Sequence, residues 1–487
     1  MKKNILHLLL LTLVTFASSP MANAFYGKQS LQSILKFDGE IVVPKDLDHS
    51  EIEKKILEQT SYLLGTFISK SFIEEFGSKG VVGEDKTISN IKVFSLPDEP
   101  EKEFVTYTFE SEALFNKKAF GRKKTIKVPI KLPFSPEEIY DFGILGNKNI
   151  CTDKHYNGPE DFFYFWDPDQ KDCPLKGNKS EVFRTKGTLK RLPKTKRTLP
   201  NYDKIFGDND NGDTTRIDLH FGYVNDESPK NLVHYIEQSL QVLDPEGSLK
   251  NVDDTITSAY EVFEHLEMKG FDLKERTLYG TLKTIESHFL QSKNVNINDI
   301  VSDEEGVIPG EKRSYVKTFP SGKTVQINII ISDSGPHAHK TNKSTLFKNA
   351  LEDSLMNADL IEYEGHSGLG ENLDLKAIYG DKEIFNPDKS QIIFINGCHS
   401  YSYYKNMFFE AKGNKENLDL ILAGLTTISD DGPNNVKAFI KSFLNPDTKR
   451  RVSFQSILNN IENSNNKENG TYLTSVFGDV LKRKRSQ

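Results

Sequence analysis

The chain has 487 residues, a hydrophobic fraction of 36% and a formal net charge of -7, with both signs mixed along its length. That is enough apolar surface for two or three globular domains, and it excludes a disordered or fibrous chain. No basic footprint large enough for nucleic acid accumulates, so no nucleic-acid partner is expected.

Lys2 and Lys3 precede the apolar run Ile5 to Phe16, and Ala22-Asn23-Ala24 precedes Phe25. This is the layout of a secretory signal peptide, so residues 1–24 are expected to be removed and the protein to be exported, periplasmic or secreted. The run is short for a span and no later stretch reaches about 18 apolar residues, so no stable membrane anchor is expected. Ser50 with Glu53 reads as a capping box, and Ile52, Ile56, Leu63, Phe67 and Phe72 then recur at near-helical spacing until Gly77. Residues Phe104 to Phe109 and Thr125 to Ile130 alternate as half-buried strands do. Residues 25–183 are therefore expected to form an α+β domain containing strands, a candidate prodomain.

The chain holds three cysteines. Cys151 and Cys173 bracket a loop rich in Gly, Pro and Asp, and an exported chain tends to pair its thiols, so a disulfide is expected between them. Cys398 is left over, and an odd thiol asks for a chemical explanation. Between Arg184 and Pro200, Lys186, Lys190, Arg191, Lys194, Lys196 and Arg197 stand among prolines, which predicts a solvated linker over 184–200 and a second domain over 201–487. Asp208, Asp210 and Asp213 cluster on a turn and offer the oxygen ligands that calcium takes. Its glycine is out of register with an EF-hand loop and no glutamate closes it, so a metal-free turn is the plainer reading.

From Asn231 to Gln291 the pattern is mainly helical. Beyond it, the apolar runs Val325 to Ile331, Leu360 to Tyr363, Ile392 to Ile395 and Leu418 to Leu422 alternate with helical segments around Leu346 to Leu355 and Val436 to Leu444. Such alternation predicts an α/β fold, a mostly parallel sheet with helices on both faces. Two of the runs end beside reactive side chains, in Tyr363-Glu-Gly-His366-Ser-Gly368 and in Asn396-Gly-Cys398-His399-Ser400. Ligands of open α/β sheets bind at the carboxyl ends of the strands, and a thiol beside an imidazole suits acyl transfer.

These segments and their flanks resemble the caspase-like superfamily of cysteine peptidases over roughly residues 320 to 445, nearest to its gingipain and metacaspase members. The resemblance implies a caspase-like three-layer domain, a protein or peptide substrate and no required cofactor. It implies Cys398 as nucleophile, His366 as proton donor to the leaving amine, and an oxyanion hole formed by the N–H groups of Cys398 and of Ser367 or Gly368. The family places glycine directly after the histidine, whereas here Ser367 precedes Gly368. Asp430 and Asp431 lie where relatives build part of the substrate cleft. They would either select a basic residue before the scissile bond or cap the following helix. His337 and His339 would line the cleft or, with His366, Cys398 and His399, hold zinc in a metal-dependent hydrolase. A catalytically degenerate binding or scaffold protein is the third reading.

Overall fold

The computed structural model describes residues 25–139, 151, 166–193, 197–207, 214–224, 254–279, 310–336, 345–413, 415–425, 427, 431–465 and 474–478. In chain order, β1 (Phe25–Tyr26) is followed by β2 (Ser30–Pro44), and then by the helices α1 (His49–Ser61), α2 (Leu63–Ile68) and α3 (Lys70–Phe76). Next come β3 (Gly80–Ser95), β4 (Lys102–Asn116), the turn α4 (Lys117–Phe120), β5 (Thr125–Pro133) and β6 (Val182–Arg191). Strands β2 to β6 form an antiparallel sheet in the order β3-β4-β2-β6-β5.

The helical region departs from the sequence reading in two ways. Its capping box is Asp48 with Glu51, two residues before Ser50 and Glu53. The Glu51 N–H donates to Asp48 Oδ1 at 2.9 Å and the Asp48 N–H to Glu51 Oε2 at 2.8 Å. The single expected helix is also three: α1 and α2 meet at Tyr62, which keeps a helical backbone (φ -63°, ψ -11°), whereas α2 and α3 are parted by Ser69, whose backbone is extended (φ -58°, ψ 150°) and whose hydroxyl accepts the Phe72 N–H. Ile52, Ile56, Leu63, Phe67 and Phe72 are buried as their spacing predicted.

The basic linker needs a larger correction. Residues 184–191 belong to β6, which pairs with β5 along its length and with β2 at one end. Their charges sit at alternate positions: Lys186 and Lys190 are exposed while Gly187 and Leu189 are buried, which is a strand's period of two. Cys151 and Cys173 are joined, with S–S 2.04 Å, and both are buried.

The second half supplies α5 (Tyr202–Phe206), β7 (Thr214–Tyr223), α6 (Asp254–Met268), β8 (Asp272–Tyr279), β9 (Gly310–Thr318), β10 (Thr324–Asp333), α7 (Thr345–Asn357) and β11 (Leu360–Gly365). After them come α8 (Leu375–Tyr379), β12 (Gln391–Asn396), α9 (Lys405–Lys412), β13 (Leu418–Ala423), α10 (Gly432–Ile440), α11 (Phe454–Ser464) and β14 (Thr474–Gly478). Together with β1 from the start of the described chain, these strands form a nine-stranded sheet in the order β1-β14-β13-β12-β11-β7-β10-β9-β8. The central strands β13, β12, β11, β7 and β10 are parallel, and the outer pairings are antiparallel. The helical reading of 231–291 fails at residues 272–279, where the chain turns at Gly270 (φ 75°) and pairs as β8 with β9.

Helices cover both faces of the parallel centre. On one face Leu360, Ile392, Phe394 and Ile421 pack with residues of α6, α10 and α11. On the other, Ile361, Tyr363, Ile393 and Ile395 pack with Phe347 and Leu351 of α7 and Phe408 of α9, in a core that continues into the antiparallel sheet. Among the described residues no helix is long and apolar enough to cross a membrane.

Candidate active site

The two reactive residues leave the sheet at matched positions. Strands β11 and β12 are parallel neighbours, and their last paired residues are Glu364 and Asn396. The Asn396 amide donates to the Glu364 carboxylate, so the ends of the two strands are tied at one level. His366 stands two residues past Glu364 and Cys398 two residues past Asn396. Glycines make the exits: a side chain at Gly365 would strike the Gly222 carbonyl of β7, and a Cβ added at Gly397 would lie 2.6 Å from Ser367 Oγ.

The turn after β11 is held from below. Tyr363 Oη donates to the His366 carbonyl at 2.7 Å and lies 2.8 Å from Ser334 Oγ, while Tyr404 Oη donates to the Ser367 carbonyl at 2.9 Å. That carbonyl also accepts the N–H groups of Gly370 (2.8 Å) and Asn372 (3.2 Å). His366 is exposed above this frame. Ser367 takes φ -92° and ψ -23°, and positive φ begins only at Gly368 (φ 51°). Ser367 therefore carries no left-handed strain.

Cys398 is half-buried, its Sγ 3.5 Å from Thr427 Oγ1 and 3.8 Å from the Thr427 carbonyl. Burial pushes the thiol above its ordinary pKa, the Thr427 bonds pull it back, and the Glu364 charge pushes it up again. The next residue, His399, takes a left-handed turn (φ 52°) and is fully buried, which lowers its pKa to about 3. Ser400 then closes the turn, its hydroxyl donating to the Ile395 carbonyl (2.8 Å) and accepting the Ala423 N–H (2.8 Å).

Beyond the turn the chain docks on the antiparallel sheet. Ser402 Oγ donates to the Val82 carbonyl at 2.7 Å, and the Asn406 N–H donates to Glu84 Oε2 at 2.9 Å. Lys405 pairs with Asp85 and, at 3.2 Å, with Glu112. Elements more than 290 residues upstream thus brace the segment that follows the cysteine.

Of the other expected site residues, Asp431 is buried just before α10. It stands at the N-cap position of α10, where its side chain makes no capping hydrogen bond. His337, His339, Asp430, Asp208, Asp210 and Asp213 lie outside the described residues, as do residues 1–24. Among the described residues no three His, Cys, Asp or Glu side chains gather as a metal site. The sequence reading missed Glu364, Asn396 and Thr427. The first two had a signal, each lying two residues before a reactive one, whereas nothing marked Thr427. Comparisons with protein-family models, with curated proteins and with solved structures find no match for this chain.

Proposed function

We propose that this chain is an exported cysteine endopeptidase of the caspase-like kind, hydrolysing peptide bonds with Cys398 and His366. One observation carries the reading: the Glu364–Asn396 pairing puts a histidine and a cysteine at equal distances past the ends of adjacent parallel strands. Parallel strands lie about 4.8 Å apart, so residues leaving them at one level start as neighbours.

Because burial raises the Cys398 thiol, the reaction starts from the thiol rather than from a standing thiolate. His366 takes the thiol proton as Sγ forms its bond to the scissile carbonyl carbon, and the C=O π pair moves onto oxygen. When that pair returns, the C–N bond breaks and the amine leaves with the proton from His366. Water then attacks the thioester, giving one proton to His366 and its oxygen to the new acid. The sulfur departs and recovers the proton. Preorganised N–H donors at Cys398 and at Ser367 or Gly368 would hold the oxygen charge, a contribution of about 3 to 4 kcal/mol per donor.

The test is labelling of the full mature protein with electrophilic peptide probes bearing Arg, Lys, Asp or Leu before the warhead. Modification of Cys398 that is lost in His366→Ala, with peptide turnover that survives a strong chelator, supports the reading. Chelator-sensitive turnover with Cys398 unmodified would discard it. Preference for Arg or Lys would support basic selectivity through Asp430 or Asp431. The Cys151–Cys173 disulfide and the character of residues 1–24 support export, which N-terminal sequencing at Phe25 tests.

A further inference from the structure

Two stretches of the chain, residues 117–136 and 182–202, carry many cations and no Asp or Glu, in a protein whose net charge is -7. Apart in sequence, they lie side by side in the fold, because β5 and β6 pair antiparallel from Thr125 with Lys190 to Pro133 with Val182. Lys127 faces Thr188 and Pro129 faces Lys186, so Lys127, Lys186 and Lys190 project from one side of the sheet, opposite to the buried Val128, Gly187 and Leu189. Lys186 and Lys190 each stand diagonal to Lys127, about 7 to 8 Å away. The turn into β5 adds Arg122, Lys123 and Lys124, and the Lys124 carbonyl accepts the Arg191 N–H at 3.0 Å, which keeps that turn beside the end of β6.

All six side chains are exposed, and none of them makes an ion pair among the described residues. Lys127 Nζ donates to Thr188 Oγ1 at 2.6 Å, a bond that leaves its charge in place. Neighbouring cations are neutralised. Towards the other end of the same two strands, Asp169 meets Lys131 at 2.8 Å and Arg184 at 3.0 Å, and on β2 Lys36 is taken by Glu110 at 3.5 Å. The six are set apart by their lack of counter-charge, and like charges held this close repel one another. An anionic partner removes that repulsion.

We infer that this end of β5 and β6 is a docking surface for an anionic lipid membrane, held by phosphate headgroups and without insertion. Cations on one side of a sheet spread over a plane, and a plane of negative charge is what such an array fits. None of the large exposed apolar residues, Leu57, Val93, Phe94, Met268 and Leu273, belongs to these strands or to the turn, so no side chain there is placed to enter the hydrocarbon. No exposed ring stands among the cations either, whereas proteins that hold single-stranded nucleic acid stack its bases on aromatic side chains. The contact is electrostatic and reversible, and it stands whether or not Cys398 cleaves peptides.

The experiment is co-sedimentation of the full mature chain with vesicles of phosphatidylcholine alone and of phosphatidylcholine mixed with phosphatidylglycerol. Binding is expected to the mixed vesicles only, and raising the salt from about 0.1 M to about 1 M should abolish it as the screening length contracts. Each cation near such a surface contributes roughly fivefold in affinity, so Lys186→Gln with Lys190→Gln should weaken binding about twentyfold. Replacing Arg122, Lys123 and Lys124 by Gln, in a turn outside the strands, should weaken it about a hundredfold and keeps the test open should the strand variant fail to fold. Lys269→Gln with Lys376→Gln removes equal charge from exposed positions outside this sheet and should bind as the wild type does. Equal binding to neutral vesicles, binding to neither, or an equal loss in the Lys269 and Lys376 variant would overturn the inference. Retention on heparin or single-stranded DNA without vesicle binding would overturn it too, and would assign the patch to a linear polyanion instead.

Discussion

Glu364 and Asn396 are joined twice, by facing positions in the parallel ladder and by a hydrogen bond from amide to carboxylate. The pair levels the exits of β11 and β12 and also brings a negative charge to bear on Cys398. A carboxylate beside a thiol opposes ionisation of the sulfur, so one residue both levels the strand ends and holds Cys398 towards its neutral form.

The first prediction separates those two effects. Glu364→Gln keeps the shape and the means to bond Asn396 while removing the charge, so the Cys398 thiol pKa should fall and the alkylation profile should move to lower pH. Thr427→Val removes the bond that favours the thiolate and should move the profile upward. Iodoacetamide rates measured across pH on both variants check the opposite signs; two shifts in the same direction would count against this electrostatic account.

The second concerns the brace between the sheets. The Lys405 side chain is 9% exposed and bridges Glu112, at 18%, and Asp85, at 51%. Lys405→Met leaves Glu112 without its buried cation and should cost about 2 to 4 kcal/mol of stability in urea unfolding. Asp85→Asn removes a water-exposed partner and should cost less than about 1 kcal/mol. Equal losses would mean that burial does not govern this network.

How much of this was legible in sequence depends on where each residue finds its partners. Strands β10 to β13 read correctly because strands buried on both faces are nearly continuous apolar runs. Strand β7, at the centre of the same sheet, did not, because Arg216, Asp218 and His220 interrupt its run. Their compensation is remote: Asn328 Nδ2 and Ser354 Oγ donate to Asp218 at 2.7 and 2.6 Å, and His220 Nε2 meets Ser354 Oγ at 2.8 Å. A one-dimensional pattern cannot show that Asp218 is satisfied by distant partners while His220 bonds through Nε2 and leaves Nδ1 without one. Local ambiguity misplaced the capping box, since Asp48-x-x-Glu51 and Ser50-x-x-Glu53 both fit and only backbone geometry chooses between them. The alternating charges of β6 were hidden because they run on into Lys194, Lys196 and Arg197 between Pro193 and Pro200. At the site, His366 and Cys398 were legible from their strands, whereas the docking of residues 402–406 on β3 and β4 depends on long-range contacts.

The third prediction is a pH dependence set at that docking surface. Burial pushes the Glu84 carboxyl up to about 7 from 4.5, with Asp85 adding to the rise and the Asn406 N–H and Lys405 opposing it. A folded-state pKa raised above the unfolded one gives stability that is complete below about pH 4.5 and is lost as pH rises through about 7. Relative to Glu84→Gln, the wild-type protein should therefore lose stability across that interval and run parallel to the variant above it. Urea midpoints at a series of pH values check this, and curves parallel throughout would exclude Glu84 as the titrating group.

The fourth uses the only tryptophan in the chain. Trp166 is fully buried, donates to the Lys131 carbonyl at 3.0 Å and packs edge-on against Tyr62 at 5.3 Å between centroids. The adjoining Asp167 N–H donates to the Cys151 carbonyl at 2.9 Å, so the disulfide anchors the chain beside the indole. A bridge over 22 residues removes unfolded-state freedom worth about 3 kcal/mol. Replacing Cys151 and Cys173 together by serine should lower stability by roughly that amount in urea, followed by Trp166 fluorescence. Dithiothreitol should reproduce the loss in the wild-type protein and in Cys398→Ser, because Cys398 takes no part in the bridge. An unfolding midpoint that ignores both reduction and substitution would mean that Trp166 is held by its apolar contacts alone.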